Sequence, residues 1–234
     1  SPNARPTFIK EYSLKHTSSD VLAIANVYNL QRFHLVGHDW GASVGWAFVA
    51  EYPERLYSWT SLSIPHMKAF QEAYRSDFDQ QRRSKYIGFF NMPFFPELYL
   101  SFNDYNNLKN IWRAHGDEEK EAYLSVFRQS GALRSALNWY RANIGRRRNP
   151  SDHINFGIVR VPTLFIWGNM DMAIGRKSID LNEQYMAGPY NFLELYVGHW
   201  LIQESFDDVS KAIINHIKTY SLEYYEPQLG KRKK

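Results

Sequence analysis

The sequence has no cysteine, no long hydrophobic run and no strong excess of charge of either sign. Without cysteine the chain has no disulfide, no metal-thiolate site and no thiol nucleophile. No apolar stretch is long enough to span a bilayer, and the first residues lack the pattern of a signal peptide. We therefore expect a soluble, cytoplasmic protein with no membrane span.

The charges are nearly balanced, with 28 basic and 24 acidic residues and a net charge of +4. Two short basic runs, at 146–148 and 231–234, are typical of a solvated loop and a solvated tail. A nucleic-acid-binding surface needs a stripe of basic residues across a folded face. The sequence shows no such stripe, so no nucleic-acid partner is predicted. A hydrophobic content of 44% over 234 residues indicates a globular chain with a substantial core.

Helical apolar spacing and short apolar runs alternate along the chain. The predicted elements begin with a helix (14–28), a strand (33–36), a helix (41–52) and a strand (57–64), followed by a helical stretch (66–150). A strand (161–168), a helix, a strand (191–197) and a final helix (207–220) complete the order. This alternation predicts an α/β fold, a mainly parallel sheet with helices on both faces formed by residues 1–65 and 151–234. Residues 66–150 are predicted to form a helical cap over the strand ends, where such sheets bind ligands.

The pentapeptide GHDWG, at 37–41, fits the pattern glycine-x-nucleophile-x-glycine between a strand and a helix. In this turn neighbouring backbones approach closely, so we expect a β-carbon at Gly37 or Gly41 to crowd it. The turn would place the Asp39 carboxylate at a helix N-terminus, which favours an anion. Taken alone, the pentapeptide fits an N-cap aspartate between turn glycines about equally well.

Two further residues favour the interpretation of Asp39 as a nucleophile over that of a simple helix cap. An ester formed on a carboxylate must be hydrolysed, which requires a base and an acid that orients the base. Asp171 follows the strand at 161–168, and His199 follows the strand at 191–197. The carboxyl ends of parallel strands share one rim, and the order nucleophile, acid, histidine is that of a hydrolase triad.

At these residues the chain resembles the α/β-hydrolase superfamily, and within it the epoxide hydrolases. The resemblance rests on LVGHDWGA (35–42), PTLFIWGNMD (162–171) and GHWLIQE (198–204). It implies that Asp39 opens an epoxide by backside attack, and that His199, oriented by Asp171, drives water onto the resulting alkyl-enzyme ester. It further implies a small apolar epoxide and water as substrates, a vicinal diol as product, no cofactor, no metal and a role in detoxification.

The resemblance extends to residues that would contact the substrate. Epoxide hydrolases place two cap tyrosines over the nucleophile, and their hydroxyls protonate the departing epoxide oxygen. SGALRSALNWYRA (130–142) and RRSKYIGFFNMPFFPE (82–97) are similar to the stretches that carry them, which implies Tyr140 and Tyr86. Trp40 would supply an oxyanion-hole N–H, with His38 and Trp139 as further substrate-binding residues.

One departure from the family is clear. Complete members begin with several more strands and carry a His-Gly-x-Pro loop, which this sequence lacks. We expect residue 1 to fall just after the family's fourth strand, which leaves the strand at 33–36 as an exposed edge able to pair with another chain, as in a homodimer. Loss of one oxyanion donor costs about 100- to 1000-fold in rate.

Two alternatives to an epoxide hydrolase therefore stay open: a truncated, non-catalytic homologue and a haloalkane dehalogenase-like hydrolase. A halide leaves unprotonated, so Tyr140 favours the epoxide over the halide. A serine esterase is disfavoured because Asp39 occupies the position of the nucleophile.

Overall fold

The structure, a computed structural model, describes residues 4–112, 115–144 and 152–229, with side chains as far as residue 221. The two basic runs, at 146–148 and 231–234, lie outside these ranges, so their assignment to a loop and a tail stays a prediction. No helix within the described ranges is long and apolar enough to cross a membrane.

The chain divides into two compact units, each built from two segments of the sequence. Ser1–Thr17 and Ser84–His153 form the first unit, while Ser18–Arg83 and Ile154–Lys234 form the second. Every strand of the described residues lies in the second unit. The sheet and the predicted triad Asp39, Asp171 and His199 therefore share one unit.

The described residues contain four strands and eleven α-helices. The strands are β1 (Phe33–His38), β2 (Leu56–Leu62), β3 (Thr163–Gly168) and β4 (Tyr190–Leu195). The helices are α1 (Leu14–Val27), α2 (Trp40–Glu51), α3 (Met67–Ser76), α4 (Phe78–Arg83), α5 (Lys85–Phe90), α6 (Phe95–Lys109), α7 (Asp117–Phe127), α8 (Ala132–Asn143), α9 (Arg176–Asp180), α10 (Leu201–Glu204) and α11 (Phe206–Leu229). This order confirms the predicted one, and the described part of the stretch at 66–150 is mainly helical. Helix α6 is interrupted at 102–105, where the backbone leaves the helical conformation.

The strands form one parallel sheet in the order β1-β2-β3-β4, which confirms the predicted α/β class. In the register of the sheet, Gly37 lies opposite Ser61 and Leu62 lies opposite Ile166. Because the strands run in one direction, the loops that leave them all emerge at the same edge. Asp39, Asp171 and His199 each follow a strand at that edge.

Side chains of β3 alternate between two apolar clusters on opposite faces of the sheet. Leu164 and Ile166 cluster with residues of α10 and α11, whereas Phe165 and Trp167 cluster with residues of α9 and the loop before it. Every residue of β3 is buried, as its continuous apolar sequence predicts. Residues of helices thus pack against both faces of β3, and this packing places the start of the loop that leaves the strand.

In the first unit, a buried ion pair joins α8 to the start of α6. The Arg141 side chain is 6% exposed and donates to both carboxylate oxygens of Glu97, at 2.7 and 2.9 Å. Arg141 also donates to the backbone carbonyl of Met92 at 2.7 Å. Burial alone would raise the pKa of Glu97, but the hydrogen bonds and charge of Arg141 outweigh burial and lower that pKa.

We expect Arg141→Met to lower the free energy of unfolding of the first unit by about 3 kcal/mol, because it leaves the Glu97 carboxylate without its cation. Chemical denaturation at neutral pH measures this loss. Arg134→Met is the control, since Arg134 is exposed on the same helix, and it should stay within about 0.5 kcal/mol of the wild type. Because the pKa of Glu97 is lowered by folding, the stabilisation is present above the ordinary carboxyl pKa and lost as the pH falls below it. Equal unfolding curves for the two variants would contradict the assignment.

Candidate active site

Asp39 occupies a strained turn between β1 and α2. Its backbone has φ 53° and ψ −120°, in a region that non-glycine residues rarely adopt. The Asp39 carboxylate caps α2, because its Oδ2 accepts the backbone N–H of Trp40 at 2.6 Å. An ordinary N-cap residue has an extended backbone. The positive φ is therefore the feature that separates this turn from a simple helix cap.

The two glycines of the turn differ in whether the structure has space for a β-carbon at their positions. A β-carbon at Gly37 would lie 2.4 Å from the carbonyl oxygen of Gly41, so the predicted crowding at Gly37 is confirmed. The same prediction for Gly41 is wrong. Apart from its own helix backbone and chain neighbours, no described atom lies within 4 Å of a β-carbon built at Gly41. The close approach is one-sided, because the first turn of α2 folds back over Gly37.

The loops that leave β3 and β4 are held against each other by backbone contacts. The N–H of Asn169 donates to the carbonyl of Leu195 at 2.9 Å, and that of Met170 donates to Val197 at 3.0 Å. A β-carbon at Gly168 would lie 2.3 Å from the carbonyl oxygen of Gly198, so only glycine fits there. This close contact brings the residues that follow, Asp171 and His199, side by side.

His199 bridges two carboxylates. Its Nδ1 lies 2.8 Å from Oδ2 of Asp171, and its Nε2 lies 3.0 Å from Oδ1 of Asp39. The side chains become more exposed along this chain of contacts, from 0% at Asp171 through 8% at His199 to 36% at Asp39. The array therefore presents one accessible group, the Asp39 carboxylate, with a histidine and a buried acid behind it.

The two carboxylates govern the charge of His199. Burial alone would lower the pKa of His199, but its hydrogen bonds with Asp171 and Asp39, together with their charges, raise it to about 10. An imidazolium donates from both ring nitrogens, which suits two acceptor-only carboxylates. Burial alone would raise the pKa of Asp39, but the hydrogen bond and charge of His199 outweigh burial and lower it. At neutral pH the site therefore holds an ionised Asp39 beside a protonated histidine.

The backbone of His199 is fixed from both sides. Its carbonyl accepts Nε2–H of His38 at 2.9 Å and the hydroxyl of Ser63 at 3.2 Å. The Glu204 carboxylate accepts the N–H groups of the two neighbours of His199, at 2.7 and 3.2 Å. Burial, followed by the charge of His199, lowers the pKa of His38, so His38 acts here as a neutral donor. Sequence reasoning did not single out Ser63 or Glu204, although Glu204 closes the quoted motif GHWLIQE.

The structure brings the two predicted tyrosines together in the first unit. The rings of Tyr86, on α5, and Tyr140, on α8, have centroids 6.0 Å apart at an interplanar angle of 82°. Both tyrosines also pack edge-on against Phe90. Trp139, the other predicted residue of α8, makes an edge contact with Tyr12 at 6.4 Å. In the second unit, Trp40 and His38 flank Asp39, as their place in the turn requires.

Residues 1–205 match the family of the alpha/beta hydrolase fold, and the chain belongs to that family. The chain is similar to human epoxide hydrolase 4, with 30% identity over 225 residues that cover 91% of this chain and 61% of the human protein. It is 25% identical to epoxide hydrolase A of Mycobacterium tuberculosis, over 92% of this chain and 78% of that protein. The chain spans about three-fifths of the length of the first curated relatives it matches.

Solved structures agree with the family assignment at the level of the fold. A crystal structure of an epoxide hydrolase from Bacillus megaterium aligns with a TM-score of 0.81 at 21% identity, over 92% of this chain and 79% of that one. An epoxide hydrolase from Vigna radiata aligns with a TM-score of 0.72 at 23% identity, over 92% and 78% of the two chains.

We expect Asp39→Asn to lower the pKa of His199 from about 10 toward its ordinary value of 6.5, because one of two neighbouring anions is removed. Nuclear magnetic resonance titration of the His199 ring measures the change. Asp20→Asn, at an exposed position on α1, is the control and should leave the titration unchanged. Since folding raises this pKa, the stabilisation from His199 is complete below pH 6.5 and is lost as the pH rises through about 10. A wild-type His199 that titrates near 6.5 would contradict the electrostatic assignment.

Proposed function

We propose that the protein is an epoxide hydrolase, which adds water to an epoxide through an ester formed on Asp39. One observation carries the proposal: an accessible aspartate in the strained turn is hydrogen-bonded to a histidine that a second, fully buried aspartate holds. A carboxylate nucleophile forms an ester, and an adjacent histidine–aspartate pair is the arrangement that activates water to cleave it. The similarity to named epoxide hydrolases supports the same reaction.

In the first step, an Asp39 oxygen forms a bond to an epoxide carbon while the bond from that carbon to the ring oxygen breaks. The phenol of Tyr140 or Tyr86 gives its proton to the oxygen that is released. The N–H of Trp40 already donates to Oδ2 of Asp39, and it stabilises negative charge on the carbonyl oxygen of the ester when water attacks.

Ester formation also prepares the second step. It removes the negative charge of Asp39, so one of the two anions that raise the pKa of His199 is lost and the imidazolium releases its proton to solvent. The tyrosine recovers a proton from solvent. Neutral His199 then takes a proton from water as hydroxide adds to the ester carbon, and collapse of the adduct transfers the remaining hydroxyl proton to the departing alkoxide. The diol leaves, and Asp39 is again a carboxylate beside an imidazolium.

The neighbouring phenols favour an epoxide over a halide. A halide leaves without a proton, whereas an epoxide oxygen needs one, and the Tyr86 and Tyr140 rings lie 6.0 Å apart within one unit. We assign the helical cap to the part of the predicted stretch 66–150 that lies in the first unit, which resumes at Ser84. Pairing of the β1 edge with a second chain and a role in detoxification stay predictions.

Two variants separate the two chemical steps. We expect Asp39→Ala to form no covalent adduct, because it lacks the nucleophile. Its activity should fall about 10⁴-fold or more. His199→Gln should form the ester and accumulate it, because no base activates water. Mass spectrometry of each protein after exposure to a simple aryl epoxide detects the adduct, and a diol assay measures turnover. Full activity in Asp39→Ala would contradict the mechanism.

The cap tyrosines are tested by removing single hydroxyl groups. We expect Tyr140→Phe and Tyr86→Phe each to slow ring opening by about 100-fold, the usual contribution of a general acid, and the double variant to be slower still. Stopped-flow measurement of adduct formation gives this rate. Tyr99→Phe is the control, since Tyr99 is exposed in the same unit. If the single variants open the epoxide at the wild-type rate, the two tyrosine hydroxyls take no part in ring opening.

A further inference from the structure

A fully buried glutamine lies beside the loop that carries Asp171. Gln80, on α4, has 0% of its surface exposed. Its Oε1 accepts the N–H of Gly175 at 2.8 Å and the hydroxyl of Ser178 at 2.9 Å, and its Nε2 donates to the carbonyl of Ala173 at 2.9 Å. The side-chain amide of Gln80 therefore pairs with backbone N–H and C=O groups of this loop, which regular secondary structure would otherwise satisfy.

The same loop orients the Asp171 carboxylate. Its Oδ1 accepts the N–H of Ala173 at 2.7 Å and the N–H of Ile174 at 3.2 Å, which leaves Oδ2 to accept from His199. The Ala173 carbonyl and the Ile174 N–H belong to one peptide group. That group accepts from Gln80 on one side and donates to Asp171 on the other, and hydrogen bonds linked in this way strengthen each other.

Arg83, at the end of the same helix, holds the backbone of Asp171. Its guanidinium donates to the Asp171 carbonyl, and its Nε donates to the Asp79 carboxylate at 2.6 Å. The Arg83 side chain is 26% exposed, so it reaches the loop from the surface while Gln80 reaches it from the interior. Helix α4 thus fixes both the main chain and the carboxylate of Asp171.

We propose that Gln80 and Arg83 are positioning residues, which hold Asp171 in the orientation that its hydrogen bond to His199 requires. Neither contacts the reacting carboxylate of Asp39 in the described structure; both act through the loop at 171–178. The kinetic part of this inference rests on the proposed function. There, a displaced Asp171 impairs His199 as a base, so ester hydrolysis slows while ester formation by Asp39 and substrate binding change little.

The inference is tested first without any substrate. The groups that bear on the His199 ring are the carboxylates of Asp171 and Asp39 and the imidazole of His38. Only Asp171 depends on Gln80. We expect Gln80→Met to lower the pKa of His199 by about one pH unit or more, measured by nuclear magnetic resonance titration. Gln81→Met is the matched control, since Gln81 is the exposed neighbour on the same helix and should leave the titration unchanged.

The kinetic test follows the lifetime of the aryl-epoxide adduct. In Gln80→Met we expect hydrolysis of the adduct to slow by about 100-fold, the usual effect of displacing a catalytic group by about 1 Å, with the rate of adduct formation unchanged. A merely structural role would slow both steps together or neither. If wild-type protein forms neither adduct nor diol, the proposed function fails, and the titration still decides the positioning role.

Arg83→Met and Arg82→Met form a second matched pair. Both arginines contact Asp79, but only Arg83 reaches Asp171. If Gln80→Met fails to fold, as judged by its circular dichroism, this surface pair decides the question. We expect Arg83→Met to lower the pKa of His199 and lengthen the adduct lifetime, and Arg82→Met to do neither. Titrations and adduct lifetimes that match those of the controls in every folded variant would overturn the proposal.

Discussion

The hydrogen bond between Nδ1 of His199 and the buried carboxylate of Asp171 is the interaction on which the site depends. It fixes the ring so that Nε2 faces Asp39, and it sets the charge of the imidazole. Several features of the surrounding structure position the two residues for this hydrogen bond. The parallel sheet delivers both residues to the same edge, Gly168 allows their loops to approach closely, and Gln80 of α4 is hydrogen-bonded to the loop at 171–178.

The two carboxylates on either side of His199 have different environments and so different uses. Asp171 has no exposed surface and saturates its oxygens with backbone N–H groups and the histidine. The Asp39 side chain is 36% exposed, and among the described residues its carboxylate accepts the N–H of Trp40 and contacts the histidine. Burial and hydrogen bonding thus fix the first carboxylate against His199 and leave the second as the group that a substrate can reach.

The sequence was sufficient to predict the order of elements, the parallel sheet and the residues that meet at its edge. Asp39, Asp171 and His199 could be found because each follows an apolar strand, and parallel strands end together. The contacts of Gln80 and Arg83 could not be predicted, because they join side chains to backbone groups about 90 residues away with no periodic pattern. In the sequence, DFDQQRR is indistinguishable from an exposed helix. The error at Gly41 has a similar cause, since only coordinates show which side of a close approach lacks space.

Helix α4 belongs to the second unit although it lies within the helical stretch between β2 and β3, and the first unit resumes at Ser84, immediately after Arg83. This placement sets a rule for grafting. A helical insert taken from a relative of the same fold could be joined after Arg83 and leave the contacts of α4 with the loop at 171–178 in place, whereas a junction at the end of β2 would discard Gln80 and Arg83 with the old insert. The exchangeable module is therefore shorter than the helical stretch, because the first two helices of that stretch, α3 and α4, belong to the unit that receives the module.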